Sequence, residues 1–384
     1  MIADIARRVK KTGRYTETAE LQAKFMREQG YSTSKIQSEV MKLLRADAEY
    51  MKCVAENTKA YKAEIKKLID ETVEEARRQG DKLIASAGNM SFNDDLSMWS
   101  IADIDLKKDA AINQIMIAFR KQTRNELKNL TRTMAFKDTV FGTTGVMNAY
   151  QKEVDRALLK VATGTFSYDQ AVNDCIHRLA HSGLRSVDYA NGRTYQLDTA
   201  VRMQVRTALS QMSGRITEHN IEKTGVELVI VSQHMGCRPE HAFMQNQVFV
   251  YKGKSKKYPD FHAPIEKGGA GYGMGNGIKG PNCTHNFYPY WEGLSVKEPD
   301  IPYDEKRYND TQTQRKMERN IRATKREIEA KKAIGEDTSQ LNAKLRQQSA
   351  EYKAFSDSAG LKPKNNRLSV ASGTSAPKKK NAKA

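Results

Sequence analysis

Four cysteines in 384 residues, at positions 53, 175, 237 and 283, are too few and too scattered for a disulfide framework, so free thiols are expected. No run of 18 uncharged apolar residues occurs, and the N-terminal MIADIARRVKKTGRY lacks the apolar segment of an export signal. Neither a membrane partner nor secretion is expected, and synthesis and folding in a reducing cytoplasm are. The hydrophobic fraction, 39%, is low for one large α/β enzyme core, whereas 29% charged residues suits long solvated helices around modest cores. Nucleotide motifs are missing as well. The Gly-rich KGGAGYGMGNGIKG at 267–280 contains no G-x-x-x-x-G-K-[ST] and does not link a strand to a helix, so it is neither a P-loop nor a dinucleotide turn. No zinc-finger spacing and no RNA-stacking motif is present.

What the chain has in excess is positive charge. Lys and Arg number 64 against 46 Asp and Glu, a formal +18. That balance predicts attraction to polyanions and says nothing about sequence recognition. From residue 296 onward there are 21 Lys and Arg against 12 Asp and Glu, so half the net charge sits on under a quarter of the chain.

Apolar spacing marks most of the chain as helical. Residues 1–48 read as two or three short helices, with Leu21, Phe25 and Met26 on one face, Gly30 as a stop, and Ser32 to Ser34 capping a helix that carries Ile36, Val40, Leu43 and Leu44. The pair is open to two readings, a DNA-reading helix-turn-helix or an interaction hairpin. Met51, Val54, Tyr61, Ile65, Leu68 and Val73 extend a long helix to about Ala87, with a turn-rich break expected at 88–100. Helix resumes over about 104–132, breaks at Phe141–Gly145, and continues over 146–162. Ser167 caps a helix carrying Ala171, Val172, Ile176 and Leu179 that Gly183 ends, Asn191-Gly192 is a tight turn, and Val201, Val205, Leu209 and Met212 line the next helix. His177 and His181, four apart, have a metal-binding spacing; with no third ligand beside them they read as a polar interface. Near the C-terminus a helix over 305–334 has a thin stripe (Met317, Ile321, Ile328), and Gly335 turns it into a partner carrying Leu341, Leu345, Tyr352 and Phe355.

The stretch from Val226 to Trp291 differs from everything around it. It holds four of the seven histidines, two of the four cysteines, both Gly-rich turns, and strand-like runs at Val226–Ser232 and Gln247–Lys252. His234-x-x-Cys237 with Cys283-x-His285 offers four ligands of the type zinc takes. The competing reading packs these thiols in a small core. A thiolate–imidazole enzyme built from Cys237 or Cys283 with His241 or His285 has no evident orienting group. Lys252, Lys254, Lys256 and Lys257, together with Lys378, Lys379 and Lys380 of the tail, offer salt-sensitive, sequence-independent contacts to nucleic acid.

In the same stretch, His234-Met-Gly-Cys-Arg238-Pro239-Glu-His241, Gln245, Tyr251, the Tyr258–Phe261 segment, Gly271-Tyr-Gly273 and Asn282-Cys283-x-His285 with Pro289 resemble the signature of the phage minor capsid protein 2 family. The likeness extends to IARRVKKTGRYTETAELQAKFMREQGYS, FSYDQAV, LAHSGL, VDYANGR and AVRMQVRTALSQ, with Arg193, Arg202 and Arg206, and spans roughly residues 4–295. The chain departs from the pattern at Cys237, where a small residue is usual, at Phe243-Met244, and at Thr284, where a basic residue is usual; it also starts inside the family's N-terminal region. The resemblance implies a structural protein of tailed-phage heads at the portal, without enzymatic activity. Its partners would be the portal protein, the major capsid or scaffolding protein, and packaged DNA. His234, Arg238, His241, Gln245, Asn282, Cys283 and His285 would structure the module.

The expected fold is therefore mainly α with a small α+β module: an elongated helical N-terminal region (1–162), a signature region (163–295) with the module at 226–295, a basic helical hairpin (296–358) and a disordered Lys-rich tail (359–384). The expected function is a minor capsid and head-morphogenesis protein without a required cofactor, structural zinc being the one candidate. The alternatives are a metal-stapled DNA-binding protein and a virion-carried Cys/His enzyme or toxin.

Overall fold

The structure, a computed structural model, describes residues 1–138, 142–162, 168–187 and 194–370. Within these the elements run α1 (Ile2–Thr12), α2 (Glu17–Glu28), α3 (Thr33–Ala46), α4 (Ala48–Trp99), α5 (Ala110–Arg132), β1 (Met134–Asp138), β2 (Gly142–Gly145), α6 (Val146–Ala162), α7 (Tyr168–Ser182), β3 (Arg185–Val187), β4 (Thr194–Gln196), α8 (Leu197–Thr224), β5 (Leu228–Val231), β6 (Val248–Val250), β7 (Phe287–Pro289), α9 (Glu305–Lys332) and α10 (Ser339–Ser358). The protein is mainly helical, as its periodicity predicts.

The chain divides into two compact units, each discontinuous in sequence. The first gathers 1–70, 133–197 and 313–384, and the second 71–132 and 198–312. Helices distant along the chain thus close each core. Each unit has its own core.

In the first unit α1, α2, α3, α6, α7 and the start of α4 bury Ile5, Val9, Tyr61, Tyr150, Val154, Val172 and Ile176 together. Two hydrogen bonds place the tyrosines: Tyr61 Oη donates to the Val146 carbonyl at 2.6 Å, and Tyr150 Oη meets Thr12 Oγ1 at 2.8 Å. The glycine stops appear where expected, with Gly30, Gly183 and Gly335 at φ 73, 63 and 76. Ser32 caps α3 by accepting from the Lys35 N–H. The expected Ser167 cap, the Asn191-Gly192 turn and Arg193 lie outside the described residues. A second sheet, absent from the sequence reading, lies here: β2-β1-β3-β4, antiparallel throughout. Its strands are three to five residues long, too short for alternation to stand out.

The α9–α10 hairpin closes the first unit with polar contacts beside a few buried apolar side chains, Ile321, Ile328 and Ala330 among them. Gln314 Nε2 donates to Ser356 Oγ at 3.0 Å and Thr324 Oγ1 to Gln348 Oε1 at 2.9 Å, which is why its hydrophobic stripe is thin. Arg322 and Lys325 donate to the Arg367 and Leu368 carbonyls at 2.8 and 3.0 Å, holding the chain against the hairpin; residues 371–384, with Lys378, Lys379 and Lys380, lie outside the described residues.

In the second unit the break expected at 88–100 does not occur, and α4 runs through it to Trp99. Tertiary packing overrides the weak helix formers AGNMSFNDDLSMWS. Phe92 and Trp99, a helical repeat apart, enter the core, and Trp99 Nε1 donates to Thr224 Oγ1 at 2.9 Å while its ring meets Trp291 edge-on. Between them Asp95 accepts from Thr217 Oγ1 and Asn220 Nδ2 at 3.0 and 2.8 Å. Helix α5 begins at Ala110 rather than near Ile104, where Asp109 Oδ1 accepts from the Ala111 and Ile112 N–H groups. The three-stranded antiparallel sheet β6-β5-β7 and the loops around it complete this unit, with Phe249, Phe261 and Phe287 buried beside α8 residues Met212 and Ile216.

Candidate functional site

The sheet of the second unit brings two distant segments side by side. Val231 on β5 pairs with Phe287 on β7, and beyond that pair the Ser232 N–H donates to the Asn286 carbonyl at 2.9 Å and Ser232 Oγ accepts from the Asn286 N–H at 2.8 Å. The chain leaving β5 is thereby held next to the chain entering β7. Pro239 opens a short 3-10 helix over Pro239–Met244 that buries His241, and Asn282, at φ 60, bends the backbone so that Cys283 and His285 point inward.

The result is a buried cluster. His241, Cys283 and His285 are 1%, 2% and 2% exposed, although they come from segments 42 residues apart. His241 Nδ1 and His285 Nδ1 lie 3.4 Å apart, and Cys283 Sγ is 3.8 Å from the former and 3.6 Å from the latter. Gln245 Oε1 accepts both the His234 N–H at 2.7 Å and His285 Nε2 at 3.2 Å. The backbone donor identifies that atom as the amide oxygen, so His285 carries its hydrogen on Nε2 and a lone pair on Nδ1. His241 Nε2 lies 2.7 Å from the Asn276 carbonyl and 2.9 Å from Arg238 Nη2. These contacts ask for opposite tautomers; the shorter, to an oxygen with no hydrogen to give, places the hydrogen on Nε2 and again leaves Nδ1 bare.

Asn276 is available because the Gly-rich loop doubles back on itself. A Cβ at Gly277 would stand 1.9 Å from the Gly271 oxygen, and one at Gly269 would stand 2.1 Å from the Ala263 oxygen. Gly269 and Gly277 thus serve close backbone packing, as expected. Burial lowers both histidines' pKa values, His285 to about 3; in His241 the Asn276 carbonyl and Glu240 oppose that lowering, while Arg238 adds to it. Burial also lowers Lys279 to about 8; its Nζ donates to Asn286 Oδ1.

The other residues named from sequence take separate places. His234 stands at the cluster's edge, its ring 4.4 Å from that of His285 and its Nε2 2.8 Å from Thr284 Oγ1. Cys237 is buried but is not part of the cluster, and burial raises its pKa; the ligand set grouped by geometry has His241 in its place. Asn282 is exposed and contributes its backbone conformation. Lys252, Lys254, Lys256 and Lys257 are exposed on the loop after β6, with Lys257 paired to Glu292 at 2.6 Å. Arg202 and Arg206 are exposed on α8.

A second cluster, in the first unit, completes the His177–His181 pair. Glu327 of α9, 150 residues from His177, places Oε1 3.1 Å from His177 Nδ1 and Oε2 3.5 Å from His181 Nε2. Nothing in the sequence around the histidines points to it; only the acidic residue on the buried side of a later helix does.

Comparison with known proteins agrees with the earlier resemblance. No solved structure matches. A "Structural protein" of Lactococcus phage LL-H is similar at 25% identity over 285 residues, covering 70% of this chain and 75% of that protein. The family model for phage minor capsid protein 2 matches residues 1–357. With nearly the whole chain matched, the protein belongs to the phage minor capsid protein 2 family and is a structural component of a phage.

Proposed function

We propose that the protein sits inside the phage head next to the portal, in contact with the portal protein, and that its cationic surface meets packaged DNA without reading its sequence. The observation that carries this reading is the formal charge of +18 on a member of a minor capsid family. A chain so charged, confined with concentrated DNA, binds phosphate by counterion release alone. Surface placement supports it. Arg7, Lys10, Lys11 and Arg14 line one cleft of the first unit, and Lys252, Lys254 and Lys256 are exposed on one loop of the second. The burial of His241, Cys283 and His285 favours a structural role for that cluster over turnover, because a catalytic thiol needs access to its substrate.

Quantitative mass spectrometry of gradient-purified, DNA-filled particles tests the location. A few to some tens of copies per particle, cross-linking to the portal, is the expected result; abundant soluble protein absent from particles would overturn it. Binding to unrelated DNA duplexes should be equal in strength and fall steeply with added salt. A marked preference for one duplex would instead favour a DNA-binding regulator.

A further inference from the structure

We propose that His241, Cys283 and His285 bind one zinc ion, through Nδ1, Sγ and Nδ1. The distances are those of a metal site. Zinc bonds of about 2.0–2.1 Å to nitrogen and 2.3 Å to sulfur, set at tetrahedral angles, place nitrogens about 3.3 Å apart and nitrogen and sulfur about 3.6 Å apart. The observed separations are 3.4 Å between the nitrogens and 3.6 and 3.8 Å to the sulfur.

Hydrogen counting leads to the same place. The Gln245 and Asn276 oxygens take the Nε2 hydrogens of His285 and His241, so both Nδ1 lone pairs turn toward Cys283. Two nitrogens and a sulfur then face one another with a single hydrogen, that of the thiol, among them. Leaving a buried acceptor unpaired costs about 1–3 kcal/mol. A cation at the centre satisfies all three: Cys283 gives its proton to solvent, its thiolate binds the metal, and each imidazole donates its lone pair.

The two oxygens are then the outer partners that orient metal-bound histidines. Two imidazoles and a thiolate select zinc over calcium or magnesium, which take oxygen ligands. The fourth position falls to a water or to His234, whose ring lies 4.4 Å from that of His285.

The test is metal analysis of the full chain purified without added chelator. About one zinc per chain is expected, with X-ray absorption showing a single sulfur neighbour. Cys283→Ser should lower zinc content at least tenfold, whereas Cys237→Ser should leave it unchanged. If Cys283→Ser fails to fold, cobalt exchanged into the unmodified chain gives the same information through its thiolate charge-transfer band. A folded chain that takes up neither zinc nor cobalt would overturn the assignment. So would two sulfur neighbours, or zinc retained in full by Cys283→Ser.

Discussion

Each unit of this protein holds a trio of possible metal ligands, and the two trios are built differently. In the second unit His241, Cys283 and His285 are almost completely buried and have no carboxylate among them. In the first, the side chains of His177 and His181 are 53% and 41% exposed and face the carboxylate of Glu327. The exposed pair faces its own counter-charge and stays in contact with solvent. The buried trio has neither resource. The same contrast holds for the buried carboxylates of the two units. Asp95 hydrogen-bonds a hydroxyl and an amide, and burial raises it from the usual 3.8 to about 6 against those bonds and the more distant charge of Lys279. Glu327 is also opposed by burial, yet hydrogen bonds and charge from His181 and His177 outweigh it and hold its pKa below the usual carboxylate value. Whether a buried group meets a charge or a dipole sets the direction of its shift.

The sharpest way to break this contrast is to strip the proposed zinc. Chelation should lower the melting temperature of the full chain by the largest margin of any perturbation here, since metal binding free energy is folding free energy. A His177→Ala, His181→Ala double variant should keep its full zinc content, which metal analysis reads directly. Next in size is Gly277→Ala. Its Cβ would stand 1.9 Å from the Gly271 oxygen, so the loop holding Asn276 must shift, at about 3 kcal/mol in denaturant unfolding. Lower zinc affinity should accompany that loss.

A third test compares the carboxylates. Because Asp95 binds its proton more tightly when folded, its contribution is fully present below the usual pKa and is lost as pH rises through about 6. The loss amounts to about 3 kcal/mol across that window. Asp95→Asn should flatten the stability profile between pH 4 and 6. Glu327→Gln should act in the opposite sense and more weakly, below about 1 kcal/mol, because its histidine partners are solvent-screened. Its stabilisation is present above the usual carboxylate pKa, and the difference from the parent should vanish as pH falls through the lowered folded value. Unfolding curves at several pH values check both.

Local signals carried the helical part of the sequence reading well. Helices α3, α6 and α7 show their apolar stripes within one or two turns, and Gly30, Gly183 and Gly335 end helices because glycine alone adopts the left-handed backbone without strain. The excess of lysine and arginine and the family signature needed no coordinates at all. Where the reading departed from the structure, a distant partner was in control. Helix α4 passes through Gly88 and Asn93 because Phe92, Asp95 and Trp99 are held by α8 and the loops of the second unit. The β1–β4 sheet depends on pairing Ala135 with Arg185, 50 residues away, which no alternation in a three-residue strand can announce.

The candidate site divides along the same line. The composition of the central module already named His234, His241, Cys283 and His285, and the spacing of Cys283 and His285 set two ligands two residues apart. It could not choose His241 over Cys237, since both lie within a few residues of one another and both are buried. That choice came from the β5–β7 pairing, the turn at Pro239 and the Asn276 carbonyl, which together point one ring and not the other side chain at Cys283. Residue types and their local periodicity follow from the order of the chain. Which of them meet is set by contacts across many residues, because ligand atoms 3.4–3.8 Å apart require several segments to be placed at once.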